Sequence, residues 1–232
     1  MQAKTLDQLY SQIVTLHQES FPSMFNYKIQ RELKKALSFF KPIENQIMKQ
    51  PPIIFLLPVT IREFHLEEGQ NGYKTVQVLA KALGYDSSNT KSAKGYIMEF
   101  AKGNYPPACH FLGDLIFISD ILPYNVIVHE IFHHIMETLL DINTKRRIYN
   151  LYKKAEQDNK FIVYTGYLMH SFNEQEYFAM AGEAYFIHEK LVLPWFYGFK
   201  TGFLVAPHNA LKEKDEEIFN LISEILLGQH FN

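Results

Sequence analysis

The chain has 232 residues, of which 47% are hydrophobic and 15% aromatic, and this composition excludes a disordered or low-complexity protein. Its 23 Lys and Arg against 25 Asp and Glu give a formal net charge of −2, so no excess of charge indicates nucleic acid or an anionic membrane as a partner. The single cysteine, Cys109, excludes an intrachain disulfide, so the fold must be stabilised by packing.

The N-terminal part is predicted to begin with helices and continue into a strand. Apolar residues recur at helical spacing in the first 50 residues, which predicts two or three helices ended by Pro42 and by the Pro51-Pro52 pair. The segment IIFLLPVTIREF is then typical of a strand interrupted at Pro58, and YKTVQVLAKALG is typical of a helix. We expect residues 1–90 to form a helical and strand segment that packs on the remainder.

The remaining residues, 91–232, are predicted to hold two short strands followed by helices. YIMEFA and DLIFIS are the strands, with GNYPPAC as the turn between them, and helical periodicity then predicts helices at about 123–140, 143–158, 172–190 and 208–227. These elements predict an α+β fold with many helices and a small mixed sheet, in one compact unit overall.

No run of 18 or more apolar residues is present, and the N-terminal residues lack the basic, apolar and small-residue regions of a signal peptide. We therefore expect no contact with a membrane. We also expect the protein to be a monomer. A cytoplasmic location is favoured for the chain as given, with export as the alternative if a signal peptide preceded Met1.

A metal-binding pattern lies in the apolar segment NVIVHEIFHHIME, where residues 129–133 match H-E-x-x-H. On a helix, residues four apart share a face, so His129 and His133 can bind one Zn²⁺ while Glu130 reaches a bound water. The segment is apolar nearly all round, which predicts a buried helix, and buried ionisable groups need a partner or a metal. A hydrogen-bonded pair of core histidines is the alternative.

His134 points about 100° away from this face and is expected to be a core or partly exposed histidine.

A catalytic zinc site also needs a third protein ligand. The segment HSFNEQEYFAMAGEAYFIHEKL is predicted to form a helix that begins at a capping box of Ser171 and Glu174. Glu176 and Glu183 share one face of this helix. The residues alone therefore leave Glu174, Glu176 and Glu183 as candidates for the third ligand.

VHEIFHH followed by NEQEYFAMAGEAYF resembles the catalytic half of the anthrax lethal factor family and of the related Pro-Pro endopeptidases, in which a glutamate in an N-E-x-E-[FY]-F-A helix completes an HExxH site. EEIFNLISEILL is similar to the closing helix of lethal factor, and EYFAMAGEAYF is equally similar to the cytosolic peptidases of the titration-factor-A type. The resemblance covers roughly residues 95–228. It implies a gluzincin-like zinc metallopeptidase domain in residues 91–232.

The resemblance implies a role for each matching residue. His129, His133 and Glu176 are expected to bind Zn²⁺, and Glu130 is expected to be the general base. Glu183 is expected to accept a hydrogen bond from a ligand histidine, with a surface position on an ordinary helix as the alternative.

The family also places a transition-state tyrosine seven residues before the ligand glutamate, but that position is Met169 here. Tyr167 is expected to take this role across a longer loop, with Tyr164 as the alternative. A second departure is Met180, which stands where lethal factor has a further glutamate.

The function implied is the hydrolysis of a peptide or protein substrate by a zinc endopeptidase. The alternatives are a cytosolic regulatory peptidase or aminopeptidase of the titration-factor type, and a non-catalytic binding or toxin module like the degenerate domain of lethal factor. The strand DLIFIS is expected either to receive the substrate as an added strand or to be an ordinary core strand.

We expect Tyr167→Phe to slow peptide cleavage by about 10²–10³-fold without abolishing it, because one oxyanion donor is worth about that much. The measurement is the initial rate of peptide hydrolysis, with Tyr164→Phe as the matched variant. Equal rates for Tyr167→Phe and wild type would exclude Tyr167 from the reaction.

Overall fold

The computed structural model describes residues 3–20, 27–57, 110–112, 115–119, 123–157, 173–192 and 204–232. These ranges contain eight α-helices and five short strands, so the described part of the chain is rich in helix and has little sheet, compatible with the predicted α+β class. None of the helices in these ranges is long and apolar enough to cross a membrane.

The helical beginning of the chain is confirmed. Helices α1 (Leu6–Ser20) and α2 (Tyr27–Ser38) are followed by a 3₁₀ turn (Lys41–Ile43) and by the short helix α3 (Glu44–Ile47). Pro42 lies inside the 3₁₀ turn, so α2 ends before the proline is reached. Because the apolar residues of α2 recur at helical spacing, one face of this helix is buried, through Ile29, Leu33, Ala36 and Leu37.

Three strands form a mixed sheet: β1 (Ile53–Leu57), β2 (His110–Leu112) and β3 (Leu115–Ser119), in the order β1-β3-β2. β1 runs parallel to β3, and β2 runs antiparallel to it. The structure favours the alternative of a core strand for DLIFIS, because β3 is the central strand: β1 pairs with all of it on one edge and β2 pairs with Leu115–Phe117 on the other. The sequence patterns also missed β2. The predicted YIMEFA strand, GNYPPAC turn and YKTVQVLAKALG helix lie outside the described residues.

Helices dominate after β3, as predicted. α4 (Tyr124–His134) continues into a π-helical turn (Ile135–Leu139), and α5 (Ile142–Gln157) follows. Next come α6 (Glu174–Tyr185), a small antiparallel pair of β4 (Leu191–Val192) and β5 (Leu204–Val205), α7 (Pro207–Lys214) and α8 (Glu216–Leu226).

The predicted helices at 172–190 and 208–227 differ from the structure. The first ends at Tyr185, where the chain turns so that the backbone carbonyl of Ile187 accepts a hydrogen bond from the backbone N–H of His208. The second is two helices separated at Asp215, whose side chain accepts hydrogen bonds from the Ile218 N–H and the Tyr177 hydroxyl. Aspartate competes for backbone donors in this way, so it ends one helix and caps the next.

One hydrophobic core joins the N-terminal helices to the helices that follow β3. At its centre, the buried ring of Phe132 on α4 lies 5.6 Å from the ring of Phe40 and 5.4 Å from the ring of Phe178 on α6, measured between centroids. Such tilted pairs of buried aromatic rings contribute beyond the area that they bury. The expected segment boundary at residue 90 lies outside the described residues.

A glycine sets the spacing between α4 and α6. A Cβ atom added at Gly182 would lie less than 3.0 Å from the ring carbons of Phe132, closer than side chains approach each other in proteins. Because Phe132 is fully buried, its ring cannot move aside without disturbing the core. The absence of a side chain at position 182 therefore lets the two helices approach.

We expect Gly182→Ala to lower the free energy of unfolding. Overpacking a core costs about 1–3 kcal/mol, against about 1 kcal/mol that alanine gains over glycine inside a helix. Urea denaturation measures the change in the free energy of unfolding. In the double variant with Phe132→Leu, the smaller side chain at position 132 should relieve part of the loss caused by Gly182→Ala. A Gly182→Ala protein more stable than wild type would contradict the assigned contact.

Candidate metal centre

Helix α4 carries His129, Glu130 and His133. Its N-cap residue is Pro123, whose side chain makes no capping hydrogen bond. The Glu32 carboxylate from α2 instead accepts a hydrogen bond from the Tyr124 N–H at 3.1 Å. A carboxylate at a helix N-terminus satisfies a free donor and interacts favourably with the helix dipole. A residue of the N-terminal segment therefore caps the helix that bears the histidines.

Helix α6 carries Glu176 and Glu183, and its N-cap is Asn173 rather than the predicted Ser171, which lies outside the described residues. The Asn173 side-chain oxygen accepts hydrogen bonds from the N–H groups of Gln175 and Glu176, each at 3.0 Å. Asparagine is among the strongest N-cap residues, so this contact fixes where the helix begins. It also places Glu176 in the first turn, where the helix dipole favours a carboxylate.

The two helices bring three potential metal ligands together. The Nε2 atoms of His129 and His133 are 3.1 Å apart, and the Glu176 carboxylate oxygens lie 3.3 Å and 3.5 Å from them respectively. Bonds of 2.0–2.1 Å at tetrahedral angles would separate neighbouring ligand atoms by about 3.3 Å, so the spacing fits such a metal ion. The three residues therefore form a group that can hold a metal.

The other two glutamates of α6 lie outside this group. Glu174 offers no ligand atom to the cluster that His129, His133 and Glu176 form. Glu183 instead contacts the opposite ring nitrogen of His129, with 3.2 Å between its Oε2 and Nδ1. If Nδ1–H donates to this carboxylate, the lone pair on Nε2 is left to bind a metal. In many metal sites a carboxylate outside the ligand set orients a ligand histidine in this way.

Glu183 is itself buried and held by a second donor. Its side chain is about 5% exposed, and its Oε1 accepts a hydrogen bond from the Asn125 amide at 2.7 Å. Because Glu176 meets His133 while Glu183 meets Asn125, α6 runs antiparallel to α4 across the site.

The electrostatics of the group follow from burial and close pairing. Burial alone would lower the pKa of His129, but its hydrogen bonds to Glu176 and Glu183 raise that pKa to about 10. Burial likewise opposes ionisation of Glu176, but the bonds to His129 and His133 hold its pKa well below its usual range. Glu176 is therefore ionised at neutral pH, and a metal ion must displace a proton from His129.

Glu130 lies next to His129 but belongs to a different environment. Burial raises the pKa of its carboxyl group, and the neighbouring imidazoles of His129 and His133 oppose that rise. A raised pKa makes a carboxylate a stronger base near neutral pH. The side chain is buried, on the same helix as the two histidines.

Of the other residues singled out in the sequence, the structure describes His134 but not Tyr164 and Tyr167. His134 is fully buried and donates from Nε2 to the Gln50 carbonyl at 2.8 Å, so it is a core histidine. Tyr164 and Tyr167 lie outside the described residues. Sequence reasoning missed two residues, Asn125 and Glu32. The spacing of Asn125, four residues before His129, was a visible signal, whereas nothing near Glu32 in the sequence indicates its contact with α4.

Comparison with protein-family models, with curated proteins and with solved structures finds no match to this chain.

We expect Glu176→Ala to abolish tight metal binding and Glu174→Ala to leave it unchanged, because only Glu176 reaches both histidines. Zinc content after dialysis, measured by atomic emission, compares the two variants with wild type. Retention of about one zinc per chain in Glu176→Ala, or its loss in Glu174→Ala, would contradict the ligand set.

Proposed function

We propose that this protein is a zinc-dependent peptidase that hydrolyses peptide bonds as an endopeptidase. The observation that carries the proposal is the convergence of the ligand atoms of His129, His133 and Glu176, with the Glu130 carboxylate buried on the same helix. The substrate would be a peptide or a protein.

The donor set supports zinc as the metal. Two imidazole nitrogens and one carboxylate oxygen are a common set of three ligands at catalytic zinc, and they leave a fourth position for water or substrate. Hard cations such as Mg²⁺ and Ca²⁺ prefer sites made only of oxygen ligands. When bound, zinc would polarise the scissile carbonyl and activate water near neutral pH.

The chain itself supplies the proton transfers. Glu130 is suited to accept a proton from the attacking water and to deliver it to the departing amine, because burial raises the pKa of its carboxyl group. The Glu183 carboxylate holds the His129 ring through Nδ1, and Glu176 shares its two oxygens between the two histidines. Tyr167 is proposed as the oxyanion donor on the resemblance alone.

An edge of the sheet is the proposed binding place for an extended substrate. Among the described strands, β2 lies at the edge of the sheet, and it packs against α4. An added strand gains main-chain hydrogen bonds along such an edge. This position replaces β3, the central strand, which pairs with β1 on one edge and with β2 on the other.

The test is cleavage of a mixed peptide library by the zinc-loaded protein, read by mass spectrometry. We expect internal cuts with wild type, and none with Glu130→Gln, although this variant should still hold about one zinc per chain because Glu130 is not a ligand.

The matched control is Glu137→Gln, which makes the same chemical change at an exposed position beyond the same helix and should cleave like wild type. Cuts confined to N-terminal residues would indicate an aminopeptidase. Zinc binding without any cleavage would contradict the enzyme and support the non-catalytic binding module.

A further inference from the structure

A chain of three side chains joins the start of α4 to the metal ligands. Asn125 lies four residues before His129, so both side chains are on one face of α4. Glu183 reaches across from α6 and contacts both, with 2.7 Å from its Oε1 to the Asn125 amide nitrogen and 3.2 Å from its Oε2 to His129 Nδ1. Glu183 therefore uses one oxygen for each partner.

The amide of Asn125 is the donor that this buried carboxylate needs. A buried carboxylate retains a severe desolvation penalty unless its oxygens accept hydrogen bonds. Without Asn125, Oε1 of Glu183 would lose the amide donor, and the carboxylate could rotate away from the His129 ring. The Asn125 contact thus fixes the plane of the Glu183 carboxylate.

That plane in turn fixes His129. A carboxylate held opposite Nδ1 orients the imidazole ring so that the other nitrogen, Nε2, faces His133 and Glu176. The approach of α4 to α6 is also set by Gly182 and Phe132, in a contact that involves none of Asn125, Glu183 and His129. The three-residue chain is therefore not the only contact that brings the helices together.

We propose that Asn125 is a positioning residue of the metal centre, acting through the Glu183 carboxylate to orient the His129 ring toward the metal. This inference rests on the proposed zinc function of the same site. Loss of an outer hydrogen bond of this kind typically weakens metal binding by about 10–100-fold.

The test measures zinc affinity by competition with a chromophoric chelator for Asn125→Asp, Glu183→Gln and the double variant. Asn125→Asp places a second carboxylate against Glu183, and we expect about 10–100-fold weaker binding. Glu183→Gln alone should weaken binding severalfold, because a neutral amide is a poorer acceptor for Nδ1–H.

In the double variant the hydrogen bond between positions 125 and 183 has its donor and acceptor exchanged. The amide introduced at position 183 can donate to the carboxylate introduced at position 125, while its carbonyl oxygen still accepts from His129. We therefore expect Glu183→Gln to strengthen zinc binding in the Asn125→Asp background, although it weakens binding in the wild-type background. Asn150→Asp, which adds the same charge on the exposed side of α5, should bind zinc like wild type.

Structural damage is separated from positioning by two further readouts. Urea denaturation of the metal-free variants reports folding, and the visible spectrum of the cobalt-substituted proteins reports ligand geometry. Asn125→Ala removes the donor without adding charge, so it replaces Asn125→Asp if that variant does not fold, with about tenfold weaker binding expected.

The role of Asn125 would be overturned if Asn125→Asp bound zinc with wild-type affinity. It would also be overturned if Glu183→Gln weakened zinc binding in both the wild-type and the Asn125→Asp backgrounds. Either result would leave the zinc site itself intact. A wild-type protein that binds no zinc would instead overturn the proposed function, and this inference with it.

Discussion

The close approach of α4 and α6 is the constraint on which the candidate site depends. Position 182 has no side chain, and the buried ring of Phe132 occupies the space where one would stand. A wider separation would move Glu176 away from the two histidines. The ligand atoms of the three residues must stay about 3.3 Å apart to bind one tetrahedral metal ion. Packing in the core and the geometry of the site are thus set by the same contact.

The N-terminal helices stabilise this pair of helices from the other side. Phe40 packs on Phe132, Glu32 caps the start of α4, and His134 is hydrogen-bonded to the carbonyl of Gln50. Three contacts of different kinds therefore connect residues before β1 to the helix that carries the ligand histidines. The N-terminal segment is therefore part of the support for the site.

The concentration of charge explains why the site suits a cation. The carboxylates of Glu130, Glu176 and Glu183 lie around two imidazoles, and most of these groups are buried. Burying carboxylates is costly unless a positive charge and hydrogen bonds compensate. Without a metal, the raised pKa of His129 favours a proton that contributes this charge, and a divalent cation would contribute more of it. Each oxygen of Glu183 already has a donor, which leaves Glu176 to face the metal.

Local patterns in the sequence were enough to predict the N-terminal helices, the apolar helix with His129 and His133 on one face, and a second helix with glutamates on one face. Helical periodicity fixes these features because it relates residues within a few turns of one another. The resemblance of the motifs already implied Glu176 as the third ligand, but helical periodicity left Glu174 open, and the folded chain was needed to show which one meets the histidines. It was also needed to show that β3 is central and which side chains outside the motif support the histidines. These outcomes depend on how elements far apart in the chain pack, and no local pattern encodes the rotation and spacing of two helices.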